Sequence, residues 1–272
     1  MPEIKRMSMP EYQAAPGISA SGLNLIHRSP AHYKENRDNP SESTAAMIFG
    51  SMFHTLALEP ELFKVEYAVL PSGLDRRTKE GKAIYADFQI ENVGKQMVSA
   101  DDYVAARNMV KGLRSHSRAN QALAGGQAEL SIFWQAHGPD GLIDCKSRLD
   151  YVTESGVIVD LKTTTDARID PFSRQCWQLG YHRKAAFYMD AYKAMFGKEA
   201  EGFLFIALEK EPPYGTALYL LDETASDQGR REYIHDLNAY AECLKNDLWP
   251  CYPDEVMAIL LPAWARDDQN FG

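Results

Sequence analysis

The segment from residue 145 to residue 164, CKSRLDYVTESGVIVDLKTT, most limits what this chain can fold into. Its apolar alternation predicts two strands, residues 142–152 and 156–163, and the residues Glu-Ser-Gly between them predict a tight hairpin connection. A hairpin centred on Ser155 places Asp150 opposite Asp160, because each lies five residues from the centre. Directly opposed side chains have Cβ atoms about 4.5–5.5 Å apart. The hairpin therefore brings two carboxylates together.

The period of two along each strand assigns the side chains to two faces. One face is apolar and is expected in the core: Leu149, Tyr151, Val159 and Leu161. The other face gathers two carboxylates and two cations: Asp150, Asp160, Arg148 and Lys162. Like charges placed opposite each other destabilise a sheet, so the carboxylate pair needs a counter-charge. Mg²⁺ meets that need, because it binds a few carboxylates together with water and phosphate oxygens.

Lys162 lies two residues beyond the second aspartate, where it can orient or deprotonate a water beside the metal. The chemistry that needs these parts is metal-assisted phosphodiester hydrolysis. The alternative interpretation is structural: Asp150 pairs with Arg148 or Lys162 as a cross-strand ion pair on a solvated face. A D-x-K triplet alone does not distinguish the two.

Outside the hairpin, the pattern predicts helices first, then a sheet, then helix and sheet again, and a final helix. Helices are expected from Ser19 or Ser21 to about residue 29 and over residues 44–58, 101–124, 175–196 and 226–246. Further strands are expected over residues 129–135, 202–208 and 216–221, and residues 71–82 are expected to form a polar loop. This order predicts an α/β (α+β) fold in one domain, 1–272. Its parts are a mainly helical region (1–125), the sheet and core helix (126–221) and an acidic helical region (222–272).

The net charge of −9 argues at first against a nucleic-acid partner, because DNA-binding domains usually carry a basic footprint. The charge is unevenly distributed, however: residues 222–272 carry −7 and the first 221 residues only −2. The acidity is thus largely a C-terminal property. We expect it on an outer or subunit-facing surface that DNA avoids.

The chain has no run of about 20 apolar residues that could span a bilayer, and its first residues lack the apolar segment of a signal peptide. The four cysteines are widely spaced and form no C-x-x-C pair. These features predict a cytoplasmic protein with reduced, mostly structural thiols and no membrane partner.

Several motifs resemble known nucleases. CKSRLD followed by VIVDLKTT resembles the D…(D/E)-x-K core of the PD-(D/E)xK nuclease superfamily. The chain more closely resembles the exodeoxyribonuclease VIII (RecE-type) exonuclease domain of prophages. The motifs that carry this resemblance are, in order, SASGLNLIHRSPAHYK, FGSMFHTLALEP, RRTKEGK, the hairpin, AFYMDAYKAMFG and LPAWA.

The resemblance implies a restriction-endonuclease-like core, with a central mixed sheet flanked by helices. It also implies an Mg²⁺-dependent exonuclease, with Mn²⁺ able to substitute, that degrades linear double-stranded DNA from its 5′ ends. The product would be 3′ single strands for a single-strand annealing protein in recombination. A homo-oligomeric ring around duplex DNA is expected by the same resemblance.

The resemblance also implies roles for individual residues. Asp150 and Asp160 would hold the metal with the Leu161 carbonyl nearby, and Lys162 would serve the nucleophilic water. His54 in GSMFHTL matches a motif histidine close to the metal, and Glu129 would support the metal through water. The alternatives are a helix histidine satisfied by its surroundings and a surface glutamate.

The chain departs from the related nucleases at one position. They carry Q-x-x-x-Y on the helix after the core, where this chain has Lys184 and Tyr188. Residues four apart share a helix face, so both can point at the site. Lysine contacts phosphate as a point charge but cannot accept a hydrogen bond as glutamine does. Tyr181 and Gln178, about one and two turns earlier, are candidates to compensate.

Three groups of residues, together with Arg148, are candidate DNA contacts. A basic loop that could close over a strand contains Arg76, Arg77, Lys79 and Lys82. A helix start could bind a terminal 5′-phosphate through Ser19, Ser21 and Arg28, which could equally be a cap and a surface cation. Arg148 on the hairpin completes the set. A basic stripe on the predicted helix 101–124 is a solvated face or a phosphate-tracking surface: Arg107, Lys111, Arg114 and Arg118.

Two other functions fit the same residues. The first is an endonuclease or single-strand nuclease on the same core, which only substrate tests separate from an exonuclease. The second is a catalytically silent DNA-end-binding module, with Lys184 marking decay of the site. Intact Asp150, Asp160, Lys162 and His54 argue against the silent module.

Overall fold

The computed structural model describes residues 1–260, so the LPAWA motif at 261–265 lies outside the described residues. The strands in this part are β1 (Glu3–Lys5), β2 (Tyr67–Val69), β3 (Gln96–Val98), β4 (Gln127–Gly138), β5 (Gly141–Val152), β6 (Val157–Thr164), β7 (Gly202–Glu209) and β8 (Thr216–Leu220). Six form the central sheet in the order β1-β4-β5-β6-β7-β8, and β2 pairs with β3 separately. Because β6 and β7 are parallel and the other central pairs antiparallel, the predicted mixed sheet is confirmed.

Helices flank this sheet, as the α+β prediction requires. They are α1 (Met9–Ala14), α2 (Ala20–Arg28), α3 (Pro30–Asp38), α4 (Ala45–Leu58), α5 (Phe63–Glu66), α6 (Lys79–Glu91), α7 (Ala100–Ser115), α8 (Ser117–Ala122), α9 (Ile169–Gln178), α10 (Tyr181–Phe196) and α11 (Glu223–Asn246). Ser19 caps α2 by accepting a hydrogen bond from the Gly22 amide at 3.2 Å, as predicted. Within residues 1–260, none of the helices is both long and apolar enough to cross a membrane.

The hairpin between β5 and β6 has the predicted register. Tyr151 pairs with Val159 and Val152 pairs with Ile158, as expected for a turn centred on Ser155. The ladder stops there. The next position on β5 is Asp150, whose Oδ2 accepts a hydrogen bond from the Leu161 amide at 2.9 Å. The two strands therefore separate where the carboxylates lie, and a side chain replaces a backbone partner.

The apolar face of the hairpin is divided between two core clusters. Tyr151, Val159 and Leu161 pack with Phe53 of α4 and Met109 of α7. Leu149 was expected beside them, and that expectation is wrong. It packs instead in the other cluster, with Trp134, Phe187 and the rest of the core between the sheet and α10.

The prediction of a single helix over residues 175–196 is also wrong. The chain forms two helices, α9 and α10, which are interrupted at Leu179 and Gly180. Gly180 has φ +66°, a left-handed conformation that interrupts a helix and favours glycine. Gly197 ends α10 at φ +69°, as predicted for a C-terminal cap.

The other differences concern helix boundaries and short elements. The predicted loop 71–82 is helical from Lys79 onward, because Thr78 caps α6 by accepting from the Gly81 amide at 2.9 Å. The helix expected to end near residue 29 is followed at once by α3, and Pro30 occupies its first turn, where the missing N–H costs nothing. The sequence patterns did not reveal β1 or α1, which together form an N-terminal arm over residues 3–14.

The position of α10 depends on a close approach to α11. A Cβ atom on Gly229 of α11 would lie 2.2 Å from the His182 carbonyl oxygen of α10, so only glycine fits there. Gly50 of α4 is the contrasting case, because a Cβ atom there would meet nothing within 4 Å.

We therefore expect Gly229→Ala to destabilise the protein by about 1–3 kcal/mol through overpacking, although alanine is the better helix former. Gly50→Ala should stabilise it by up to about 1 kcal/mol. Urea unfolding of both variants measures the two changes. Equal effects of the two substitutions would contradict the close helix contact.

Candidate active site

The two aspartates of the hairpin are buried and lie between two lysines. Asp150 is 6% exposed and Asp160 is fully buried. Lys162, two residues along β6, donates a hydrogen bond to Asp160 Oδ2. Lys184 of α10 places its Nζ 2.7 Å from Asp160 Oδ1 and 3.8 Å from Asp150 Oδ1. The predicted convergence of these groups is present, and Lys184 joins it from a different layer of the fold.

Burial and the neighbouring charges shift the pKa values of the two aspartates in opposite directions, and likewise those of the two lysines. Burial and the neighbouring Asp160 raise the pKa of the Asp150 carboxyl. Burial acts in the same direction on Asp160, but Lys162 and Lys184 outweigh it and lower its pKa. Burial also lowers the pKa of the Lys162 ammonium. For Lys184, Asp160 outweighs burial, and its pKa lies well above the ordinary value.

His54 and Glu129 lie beside the aspartates. His54 Nδ1 is 3.6 Å from Asp150 Oδ2 and 3.9 Å from Glu129 Oε1. Burial opposes protonation of His54, but these carboxylates outweigh it and raise the histidine pKa. Glu129 lies in β4 with φ +50°. The residues before and after it pair with Tyr151 and Leu149, so Glu129 lies opposite Asp150. A non-glycine residue held in this conformation is strained, which is common where a side chain is re-aimed into a site.

Arg148 pairs with Glu129 and not with Asp150, the partner that the structural interpretation of the hairpin requires. Its Nε donates to Glu129 Oε2 at 2.6 Å, and its NH1 donates to the Met7 carbonyl at 2.9 Å and to Ser131 Oγ at 3.1 Å. Its side chain is only 10% exposed. Because the guanidinium is engaged with these partners, it does not form the ion pair with Asp150. It holds Glu129 in place.

The N-terminal arm supplies site residues that the sequence reasoning missed. The Tyr12 ring of α1 lies 5.3 Å from Lys146 Nζ and 5.9 Å from the Arg148 guanidinium carbon. Lys146 Nζ donates to the Tyr12 carbonyl at 3.0 Å and to the Gln13 carbonyl at 2.9 Å. The capping box of Ser8 and Glu11 was the available signal for a helix there.

The first turns of α10 place two aromatic rings beside the lysines. Lys184 Nζ lies 4.9 Å from the Tyr188 ring centroid, and burial raises the pKa of Tyr188 to about 12. The Tyr181 ring lies 4.8 Å from Lys162 Nζ, and the Gln175 amide donates to its hydroxyl at 3.2 Å. Gln178 is exposed, and the residue that hydrogen-bonds Tyr181 is Gln175, about one turn earlier on α9.

The predicted DNA contacts lie mostly on the surface. Arg76, Arg77, Lys79 and Lys82 are exposed where the 71–78 loop enters α6. Ser19 Oγ is engaged in capping and lies 2.9 Å from Ser21 Oγ, and Arg28 donates to the Tyr252 hydroxyl at 3.4 Å. In the basic stripe of α7 and α8, Arg114 donates to the Ala57 carbonyl at 2.7 Å. That arginine therefore anchors α4 to α7.

The donor set fits a hard divalent cation. Asp160 Oδ1 is buried and accepts no aligned hydrogen bond, although Lys184 Nζ is near it. The ligands available are carboxylate oxygens, which Mg²⁺ and Mn²⁺ prefer. No group of three or more His, Cys, Asp or Glu side chains forms a ready-made cage within residues 1–260. Water and substrate oxygens would complete the coordination.

The chain is similar to known proteins in sequence family and in fold. The model of a family described as "PDDEXK-like domain of unknown function (DUF3799)" matches residues 19–260. A solved structure from Eubacterium rectale, described as a candidate exonuclease, is 12% identical with a TM-score of 0.63, covering 97% of this chain and 99% of that chain. A phage-related exonuclease from Haemophilus somnus 129PT is 12% identical, covers 87% of this chain and 99% of that chain, and has a TM-score of 0.36. No curated protein sequence matches the chain.

The contact between Arg148 and Glu129 gives a test of how the site is held. Arg148→Met removes the guanidinium from the Glu129 carboxylate, whose side chain is only 13% exposed, and we expect it to cost about 2–4 kcal/mol of stability. The added substitution Glu129→Gln should recover part of that loss, so the two changes together cost less than their sum. Chemical denaturation of the single and double variants measures both effects.

The matched control is Lys245→Met, which breaks a 2.9 Å pair with Asp140 in which both side chains are 61% exposed. It should change stability by less than about 1 kcal/mol. If Arg148→Met costs no more than this control, the anchoring of Glu129 is wrong.

Proposed function

Because the chain belongs to the PDDEXK-like domain family DUF3799, and with it to the PD-(D/E)xK nuclease superfamily, we propose that it is a divalent-metal-dependent exodeoxyribonuclease of the exodeoxyribonuclease VIII (RecE-type) class. It would degrade linear double-stranded DNA from 5′ to 3′ and leave 3′ single-stranded tails. The observation that carries this proposal is the buried pair of Asp150 and Asp160 with Lys162 beside it, at the point where β5 and β6 separate.

The aspartates are the proposed metal ligands, together with the Leu161 carbonyl and with His54 and Glu129 beside them. Mg²⁺ is the proposed ion, and Mn²⁺ is a suitable substitute because it prefers similar oxygen ligands. A bound divalent ion would polarise the scissile phosphate and ease deprotonation of the attacking water. The strained backbone of Glu129 and its contact with Arg148 would keep a carboxylate aimed at this position.

Lys162 is the proposed acceptor of the water proton, or the group that orients the water. Burial lowers its pKa, which is the direction that a proton acceptor needs. The Tyr181 ring covers one side of its ammonium at 4.8 Å, and the side chain is only 12% exposed. These surroundings hold Nζ next to Asp160 and limit its contact with bulk water.

DNA would approach from the surface that carries the exposed cations of the 71–78 loop and α6. Arg77 is paired with Asp75 and Arg76 lies over the Tyr85 ring, which leaves Lys79 and Lys82 without a partner among the described residues. Phosphate contacts of this kind position the duplex without reading its sequence. The proposed assembly is a ring-shaped homo-oligomer. The proposed partner is a single-strand annealing protein that uses the 3′ tails in DNA recombination.

The first test is digestion of linear, 5′-phosphorylated duplex DNA with Mg²⁺ or with EDTA. We expect nucleotide release only with Mg²⁺, and a loss of about 10²–10⁴-fold or more in Asp160→Ala and Lys162→Ala. Lys193→Ala on the exposed face of α10 is the control and should digest at the wild-type rate. Equal digestion by all variants would remove these residues from the active site.

The second test separates the proposed exonuclease from its alternatives by substrate form. With duplexes labelled at the 5′ or the 3′ end, we expect early release of the 5′ label and persistence of the 3′-ended strand. Circular duplex and circular single strands should stay intact. Nicking of circles would favour an endonuclease or single-strand nuclease, and DNA-end binding without digestion would favour the silent module.

A further inference from the structure

Lys184 places a fixed positive charge inside the carboxylate site. Its Nζ lies 2.7 Å from Asp160 Oδ1 and 3.8 Å from Asp150 Oδ1, so it contacts the same two side chains that would bind a metal. Lys162 already supplies one cation to Asp160 through Oδ2. Lys184 is therefore a second cation, and it faces the oxygen that lacks an aligned hydrogen bond.

The neighbours of Lys184 in α10 anchor its backbone beside the aspartates. The next three residues along α10, Ala185, Ala186 and Phe187, are fully buried in the core. The preceding residue, Arg183, donates to Asn24 Oδ1 at 3.2 Å and to Glu232 Oε2 at 3.0 Å. Only the flexible side chain of Lys184, which is 23% exposed, is free to change position.

We propose that Lys184 is a resident counter-ion that competes with the divalent cation for Asp150 and Asp160. The inference rests on the proposed function only in requiring that this pair binds a divalent cation. A metal ion and an ammonium group at one carboxylate repel each other, so metal binding displaces the ammonium. The chain thereby keeps the buried carboxylates neutralised without metal and lowers their metal affinity. The displaced ammonium remains on the helix face beside the site, where it can donate to a phosphate oxygen.

The test is the affinity for Mn²⁺ alone, measured by calorimetry on the full chain without DNA. Lys184→Gln and Lys184→Met remove the competing charge and should bind Mn²⁺ about tenfold more tightly than the wild type. Lys184→Arg keeps the charge and should bind near the wild-type affinity. Lys193→Gln, on the exposed face of the same helix, should change nothing. Unchanged or weaker binding by both uncharged variants would overturn the proposal.

A second measurement needs no variant and so does not depend on variant folding. Amine-selective labelling of the wild type, followed residue by residue by peptide mass spectrometry, reports how accessible each lysine is. Mn²⁺ should increase the labelling rate of Lys184 several-fold and leave Lys193 unchanged. A Lys184 rate that stays constant or falls would overturn the displacement. Neither measurement reads cleavage, so a protein that binds Mn²⁺ and digests no DNA would overturn only the proposed function.

Discussion

The rest of the structure depends on neutralising two buried carboxylates. Removing a carboxylate from water costs several kcal/mol unless a partner compensates, and Asp150 and Asp160 are both almost fully buried. The chain compensates with Lys162 from the same hairpin and Lys184 from α10, together with hydrogen bonding from the Leu161 amide. Because these partners come from different elements, the hairpin and α10 have to be held in register with each other. The site is in this sense a packing constraint as well as a chemical one.

Two departures from regular structure meet that constraint. The β5–β6 ladder ends at the Tyr151–Val159 pair. Beyond it, the Asp150 side chain accepts a hydrogen bond from the Leu161 amide of β6 in place of a backbone pair. The left-handed Gly180 ends α9 and restarts the chain as α10, which directs Lys184 at the aspartates while Tyr181 covers Lys162. A continuous helix over the same residues would have a single axis, and α10 could not take its own direction toward the aspartates. The local irregularities therefore position the charged groups.

The hairpin geometry could be predicted from the sequence because it is local. A turn centre and a period of two suffice to set Asp150 against Asp160 and to place Lys162 on the same face. The contact of Lys184 with Asp160 could not be predicted in that way, because it depends on the break at Gly180 and on how α10 packs on the sheet. The role of Tyr12 was hidden for a similar reason. It reaches Lys146 and Arg148 only through tertiary packing of a short N-terminal arm, in which no strong periodicity exists.

The acidic C-terminal region shows why a net charge cannot be interpreted without positions. Asp236 of α11 is 2% exposed and lies 3.0 Å from His27 of α2, and Glu232 accepts from Arg183 of α10 at 3.0 Å. Asp222 caps α11 by accepting from the Ala225 amide at 2.8 Å. Asp236 and Glu232 thus link α11 to α2 and α10, whereas Asp222 is exposed and caps only its own helix. Through its contact with Arg183, Glu232 also helps to position Lys184, the next residue of α10.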